Sequence, residues 1–203
     1  MIYKLTDQLI LYTELPSYIA IKAAASTLLL LFLLLAAGWL IRFISDMITG
    51  IFAFIGGNKA AFFIRNYLTY AGTVHHELSH ALFIVLTGGK VKKITLIPKG
   101  RKLGSVEFSC RGNFFFRGLQ LSLPALAPVL CGLISLSLMH AFLLPYCLQN
   151  WQLALYYYFF ISIFFHMTLS RQDMENFWHG LPSLLLLLFL LNFLNLYFAV
   201  MSI

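Results

Sequence analysis

Gly72-Thr-Val-His-His-Glu-Leu-Ser-His-Ala-Leu-Phe83 sets ionisable side chains in the order His76-Glu77-Leu78-Ser79-His80, inside an otherwise apolar run over residues 67–86. About twenty apolar residues suit a membrane-crossing helix. Ionisable groups are expensive in such a helix, and their default reading is functional. On a helix, positions i and i+4 share one face, so His76 and His80 can grip a single metal ion. Glu77 stands beside the first of them, within reach of a water on that metal. Zinc lowers the pKa of such a water from about 15.7 towards 7, and a neighbouring glutamate takes the proton.

A five-residue pattern also arises by chance. A packing explanation, however, needs buried partners for two histidines and a glutamate together, which favours the metal. His75 points about 100° away from His76, so it is expected to pack or to support, not to ligate.

Working outward, the 203 residues are 61% hydrophobic and 10% charged. A soluble domain of this size does not need so much apolar surface. The expectation is one integral membrane domain over residues 1–203: an all-α, polytopic helical bundle of about five transmembrane helices with a small cytoplasmic β-hairpin. Spans are expected at 18–44, 67–87, 118–144, 151–169 and 181–200, and the hairpin at 90–110. The mixed residues 1–16 lack the pattern of a cleaved signal. Cys110, Cys131 and Cys147 have no metal-binding spacing, and three cysteines give no disulfide framework.

Residues 45–66 are apolar in part, but Gly50, Gly56 and Gly57 interrupt them. They read as an interfacial or re-entrant piece. The Gly88-Gly89 pair reads as the stop of the motif helix. Beyond it, residues 91–97 and 103–110 alternate like strands around a turn at 98–102. Eight Lys or Arg and the single acid Glu107 lie between Gly88 and Arg117. Such a basic loop should stay in the cytoplasm, with most of its charge serving topology and headgroups. Pro124 and Pro128, four apart in the third span, free backbone carbonyls and either kink the helix or shape a wall of the site. Asn192 and Asn195 read as interhelical hydrogen-bond groups.

This topology brings the polar stretch after Leu169 to the same side of the membrane as the motif. A catalytic zinc usually has three protein ligands and one open position. The candidates for the third are Asp173, Glu175, His179, His166 and His140. Asp173 and Asn176 share a helical face. Glu175 points elsewhere, towards Arg171, and His140 belongs near the opposite end of its span. His166 stays open. Spacing alone puts Asp173 ahead.

The segment His76-Glu77-Leu78-Ser79-His80-Ala81-Leu82, the following Thr87-Gly-Gly-Lys-Val91 and hairpin, Pro124-Ala-Leu-Ala-Pro128 and Ser170-Arg-Gln-Asp173 together resemble the site-2 protease family of intramembrane zinc metallopeptidases. The resemblance covers roughly residues 68–180. It implies His76, His80 and Asp173 as zinc ligands, Glu77 as the base, and a membrane-associated hairpin that aligns substrate as an added strand. Many members carry Asn-Pro-x-Pro-Leu-Asp-Gly around the late aspartate. Here Leu169-Ser-Arg-Gln-Asp-Met-Glu-Asn-Phe-Trp-His-Gly180 stands in that place, closer to a compact, divergent branch.

The expectation is therefore a zinc endopeptidase, multi-pass in a prokaryotic cell membrane. It would cut a membrane-protein or membrane-anchored peptide near the cytoplasmic face. Its partners are that substrate and the lipid bilayer, with no nucleic acid. Asn176 would hold the Asp173 carboxylate or the substrate backbone. A catalytically inactive zinc-binding scaffold or chaperone of the same fold is the alternative, although metal retention alone does not require Glu77. A haem or ion-conducting protein fits less well, because two histidines four apart on one helix suit a single metal ion.

Overall fold

The computed structural model describes residues 2–97 and 104–201, with side chains from Pro16 onward except that of Asn66. Five α-helices and one hairpin follow in order: α1 (Ile2–Phe63), α2 (Tyr70–Leu86), β1 (Lys90–Thr95), β2 (Ser105–Ser109), α3 (Phe114–Leu138), α4 (Asn150–His166) and α5 (Arg171–Met201). Three helical stretches are long and apolar enough to cross a membrane: Pro16–Phe63, Phe114–Tyr146 and Arg171–Met201.

That is three spans, where the sequence led us to expect about five. α2 and α4 have 17 residues each. At 1.5 Å per residue they are about 26 Å long, short of a hydrocarbon core of about 30 Å. Each is trimmed by backbone that hydropathy does not register. A π-helical turn (Ile64–Leu68) and Thr69 precede α2, and α4 stops at His166. The polar residues after it form the opening turns of α5, so α5 begins about ten residues before the expected fifth span.

Residues 45–66 are also not the separate piece anticipated. α1 runs on through Gly50 and departs from helical geometry at Gly57 (φ 76°, ψ 169°). A lone helical glycine costs only about 1 kcal/mol relative to alanine, so Gly50 weakens the helix without ending it. At Gly57 the chain doubles back. Arg65 Nη1 lies 2.9 Å from Asp46 Oδ1, although nineteen residues of straight helix would separate them by about 28 Å.

The expected stop of α2 holds. Gly88 takes φ 83°. Its N–H donates to the Val85 carbonyl (3.0 Å), and the Gly89 N–H donates to that of Ile84 (2.8 Å). This satisfies two carbonyls that the helix end leaves open. The hairpin also forms, antiparallel, with Lys90 opposite Ser109, Thr95 opposite Ser105 and a register shift between Val91 and Lys93. The expected turn at 98–102 lies outside the described residues. Gln120 on α3 is buried and fixes the base of the hairpin. Its Oε1 accepts from the Arg111 N–H, and its Nε2 donates to the carbonyls of Thr87 and Arg111.

α2 lies against α3 on one side and α4 on the other, while α5 packs on α3 and α1. Leu31, Ala125, Leu126, Val129, Leu169, Phe177 and Leu184 form one buried core. A second joins Ile41, Leu136, Ile163 and Met167. Small residues let backbones meet where side chains would hold them apart. A Cβ on Gly72 would strike the Ser162 carbonyl of α4, and one on Gly180 would strike the Gly118 carbonyl of α3. Asn192 donates to Thr27 Oγ1 across α5 and α1 (2.9 Å), an interhelical bond of the kind expected; Asn195 is exposed. The three cysteines are free.

Candidate metal centre

His76 and His80 lie one turn apart on α2, with their Nε2 atoms 3.0 Å from each other. Asp173, near the start of α5, brings its Oδ1 to 3.3 Å from His80 Nε2. One ligand atom from each of the three falls within 4.8 Å of the others. Asp173 is only 6% exposed.

The hydrogen bonds behind these atoms fix what they offer. His76 Nδ1 lies 2.7 Å from the His166 carbonyl, and His80 Nδ1 lies 2.8 Å from the Pro124 carbonyl. A carbonyl only accepts, so both Nδ1 atoms carry the proton and donate. In the neutral form of a ring held this way, Nε2 presents a lone pair. Asp173 is tied back in the same way. Its Oδ2 accepts the Ser170 N–H (2.8 Å), while Ser170 Oγ accepts the Asp173 N–H (3.1 Å). This is a reciprocal cap on the first turn of α5, and it leaves Oδ1 facing the histidines.

With both rings in that form, three acceptor atoms converge with no donor among them. A shared proton would satisfy one pair; a divalent metal satisfies all three. Two imidazole nitrogens and a carboxylate oxygen are a zinc donor set. Two bonds of about 2.0 Å at a tetrahedral angle place ligand atoms about 3.3 Å apart, close to the His76–His80 and His80–Asp173 separations. The residues fit a zinc ion.

Glu77 is 7% exposed, and among the described residues no donor engages its carboxylate. A cavity of about 860 Å³ opens here, lined by His76, Glu77, His80, Asp173 and Asn176 and on its far side by β2. The hairpin comes very close at Gly104, where a Cβ would fall 2.6–2.8 Å from the Glu77 carboxyl group.

The remaining candidates disperse. His166 turns its ring away, with Nε2 3.0 Å from Thr73 Oγ1 and Nδ1 on the Ser162 carbonyl. It meets the site through its own carbonyl. Glu175 is exposed and pairs with Arg171 at 3.3 Å, as its position suggested. His179 is exposed and folds onto the Glu175 carbonyl, and exposed His140 does not line the cavity. His75 bonds Ser135 Oγ on α3 (2.9 Å), the packing role expected. Asn176 lines the cavity, with Gln172 3.5 Å from its Oδ1.

Sequence reasoning passed over four contributors: the His166 carbonyl, Gly72, Gly104 and the Ser170 cap; the Pro124–Pro128 spacing flagged freed carbonyls in α3, though not the bond of one of them to His80. Of these four, only the cap had a signal in the letters, the Ser-x-x-Asp spacing. A scan against protein-family models, a search of curated proteins and a search of solved structures each returned no match.

Proposed function

We propose that the chain is an intramembrane zinc metallopeptidase. It hydrolyses a peptide bond of a membrane-protein or membrane-anchored substrate near the cytoplasmic face. The observation that carries this reading is the convergence of Nε2 of the half-buried His76 and His80 with Oδ1 of the buried Asp173, beside a buried glutamate with no hydrogen-bonding partner among the described residues. The chain would also be multi-pass in a prokaryotic cell membrane.

A bound zinc would supply Lewis acidity, polarising the scissile carbonyl and lowering the pKa of water. The protein does the rest. The His166 and Pro124 carbonyls hold the imidazoles in the ligating tautomer, and the Ser170 cap aims Asp173. Glu77 takes the proton of the attacking water and returns it to the leaving amide nitrogen. Asn176 offers an amide to the substrate backbone, and β2 lines the cavity with strand edge for an extended peptide. The low exposure of this site limits bulk water, which strengthens each of these polar contacts.

The test is purified protein with a membrane-protein reporter substrate. Wild type should hold about one zinc and cleave the reporter. Glu77→Gln should keep fold and zinc while losing about 10²–10⁴ in rate, the usual worth of a general base. Cleavage by Glu77→Gln at the wild-type rate would remove Glu77 from this role. A zinc-loaded wild type inert towards every membrane reporter would turn the assignment to a zinc-binding scaffold.

A further inference from the structure

Pro128 lies four residues after Pro124 within α3 and is almost fully buried. In a regular helix the carbonyl of residue 124 accepts the N–H of residue 128. Proline has no N–H, so that bond cannot form. The Pro124 carbonyl thus loses its helical partner within the buried stretch 124–129 of α3, where an unmet polar group is costly. It is not left unmet: His80 Nδ1 donates to it at 2.8 Å.

We propose that Pro128 is a positioning residue for the metal site. By withholding an N–H, it reserves the Pro124 carbonyl for His80, fixes the tautomer of that ring and points its Nε2 at His76 and Asp173. Pro128 touches neither metal nor substrate in this role; it acts through one carbonyl and one imidazole. This deepens the zinc reading of the site and rests on it.

The arrangement on the other histidine supports the idea. His76 donates to the carbonyl of His166, the last residue of α4. Carbonyls in a last helical turn have no helical partner. Both histidines are therefore held by carbonyls that their own helices leave free, one at a helix end and one behind a proline. An imidazole bonded to a fully engaged helical carbonyl would have to share it.

The test measures zinc affinity by chelator competition, and the optical spectrum after cobalt substitution, for wild type, Pro128→Ala and Pro182→Ala. A fourth protein carries Pro128→lactate, a backbone ester that also lacks the N–H. Pro128→Ala should fold with an undiminished melting temperature, since it gains a helical hydrogen bond, yet bind zinc about 10–100-fold more weakly. Its cobalt spectrum should shift. Pro128→lactate should restore affinity to within about threefold of wild type, and Pro182→Ala, in α5, should leave it unchanged. Wild-type affinity in Pro128→Ala overturns the inference while leaving the zinc site intact. Equal weakening in the alanine and lactate variants also overturns it, because ring shape would then matter and not the missing N–H. A wild type that binds no zinc removes the underlying reading, and with it this one, and is told apart by that first measurement.

Discussion

α2 is held on two sides, and the two contacts reach the same end by different means. Towards α4, the approach depends on Gly72: a side chain there would meet the Ser162 carbonyl. The close crossing brings the end of α4, with its free His166 carbonyl, onto His76. Towards α3, the carbonyl that holds His80 comes from mid-helix, between two buried prolines. One side uses a helix end and a glycine; the other uses a proline and needs no helix end. A histidine in a protein interior can be oriented by any backbone carbonyl that the secondary structure does not consume, and helix ends and prolines are two sources of such carbonyls.

The harshest way to break the comparison is to remove either ring. His76→Ala and His80→Ala should each abolish stoichiometric zinc, because two protein ligands are too few for a site of this type. Metal analysis of the purified variants decides it. The two sides should lose equally, since the two rings would be equivalent as ligands even though their supports are not. Stoichiometric zinc in a folded double variant would show that the metal binds elsewhere.

A milder break separates the supports. Gly72→Ala places a methyl group against the Ser162 carbonyl and His166 Nδ1, so α4 has to move away. Overpacking of this kind costs about 1–3 kcal/mol, and the displaced carbonyl should cost about tenfold or more in zinc affinity. Both a lowered melting temperature and weaker zinc are expected. Pro128→Ala is expected to weaken zinc without the fall in stability, so the two variants distinguish the two sides of α2 by the sign of the stability change. A Gly72→Ala protein with wild-type melting and affinity would show that α4 is not held as closely as drawn.

What the sequence made legible follows the same division. The pattern His76-x-x-x-His80 and the glycine stop at Gly88-Gly89 have side-chain or conformational signatures, and so does the alternation of the hairpin; these were read correctly as structure. The packing of His75 on α3 and the Asn192 bond to α1 were also readable, since polar groups in apolar helices need partners. Asp173 and the histidines were expected to meet, and they do. The number of spans was not readable, because hydropathy registers neither the π-helical turn before α2 nor the end of α4 at His166. The run of α1 through Gly50 was missed because one glycine weakens a helix less than it weakens the pattern. Backbone carbonyls have no letter of their own unless a proline four residues on frees one, as Pro128 does for Pro124. His166 therefore looked like a possible ligand by its ring, when its contribution is the carbonyl behind it.

The smallest expected effect sharpens the comparison within α5 itself. Asp173, Glu175 and His179 lie within two turns of one another, yet only Asp173 points its carboxylate inward. Glu175 bonds Arg171, whose side chain is 94% exposed. Exposed pairs of this kind contribute about 0–1 kcal/mol, and water and salt screen one so solvated towards the low end. His179 Nδ1 rests on the carbonyl four residues back, a local bond with no link to the cavity. Glu175→Gln and His179→Gln should therefore leave zinc stoichiometry intact and move the melting temperature by no more than about 2 °C. Asp173→Asn should weaken zinc strongly, because it replaces the anionic group of the proposed ligand set and alters the reciprocal cap with Ser170 in one step. The control for the cap is Ser170→Ala. It removes the hydroxyl that accepts the Asp173 N–H but leaves the carboxylate, so it should cost about 1 kcal/mol of stability and only a modest share of the affinity. If Glu175→Gln or His179→Gln strips the metal while Asp173→Asn retains it, the first turns of α5 are rotated by about 100° per residue of displacement from the arrangement described. The acceptor cluster would then have to be rebuilt around a different third ligand.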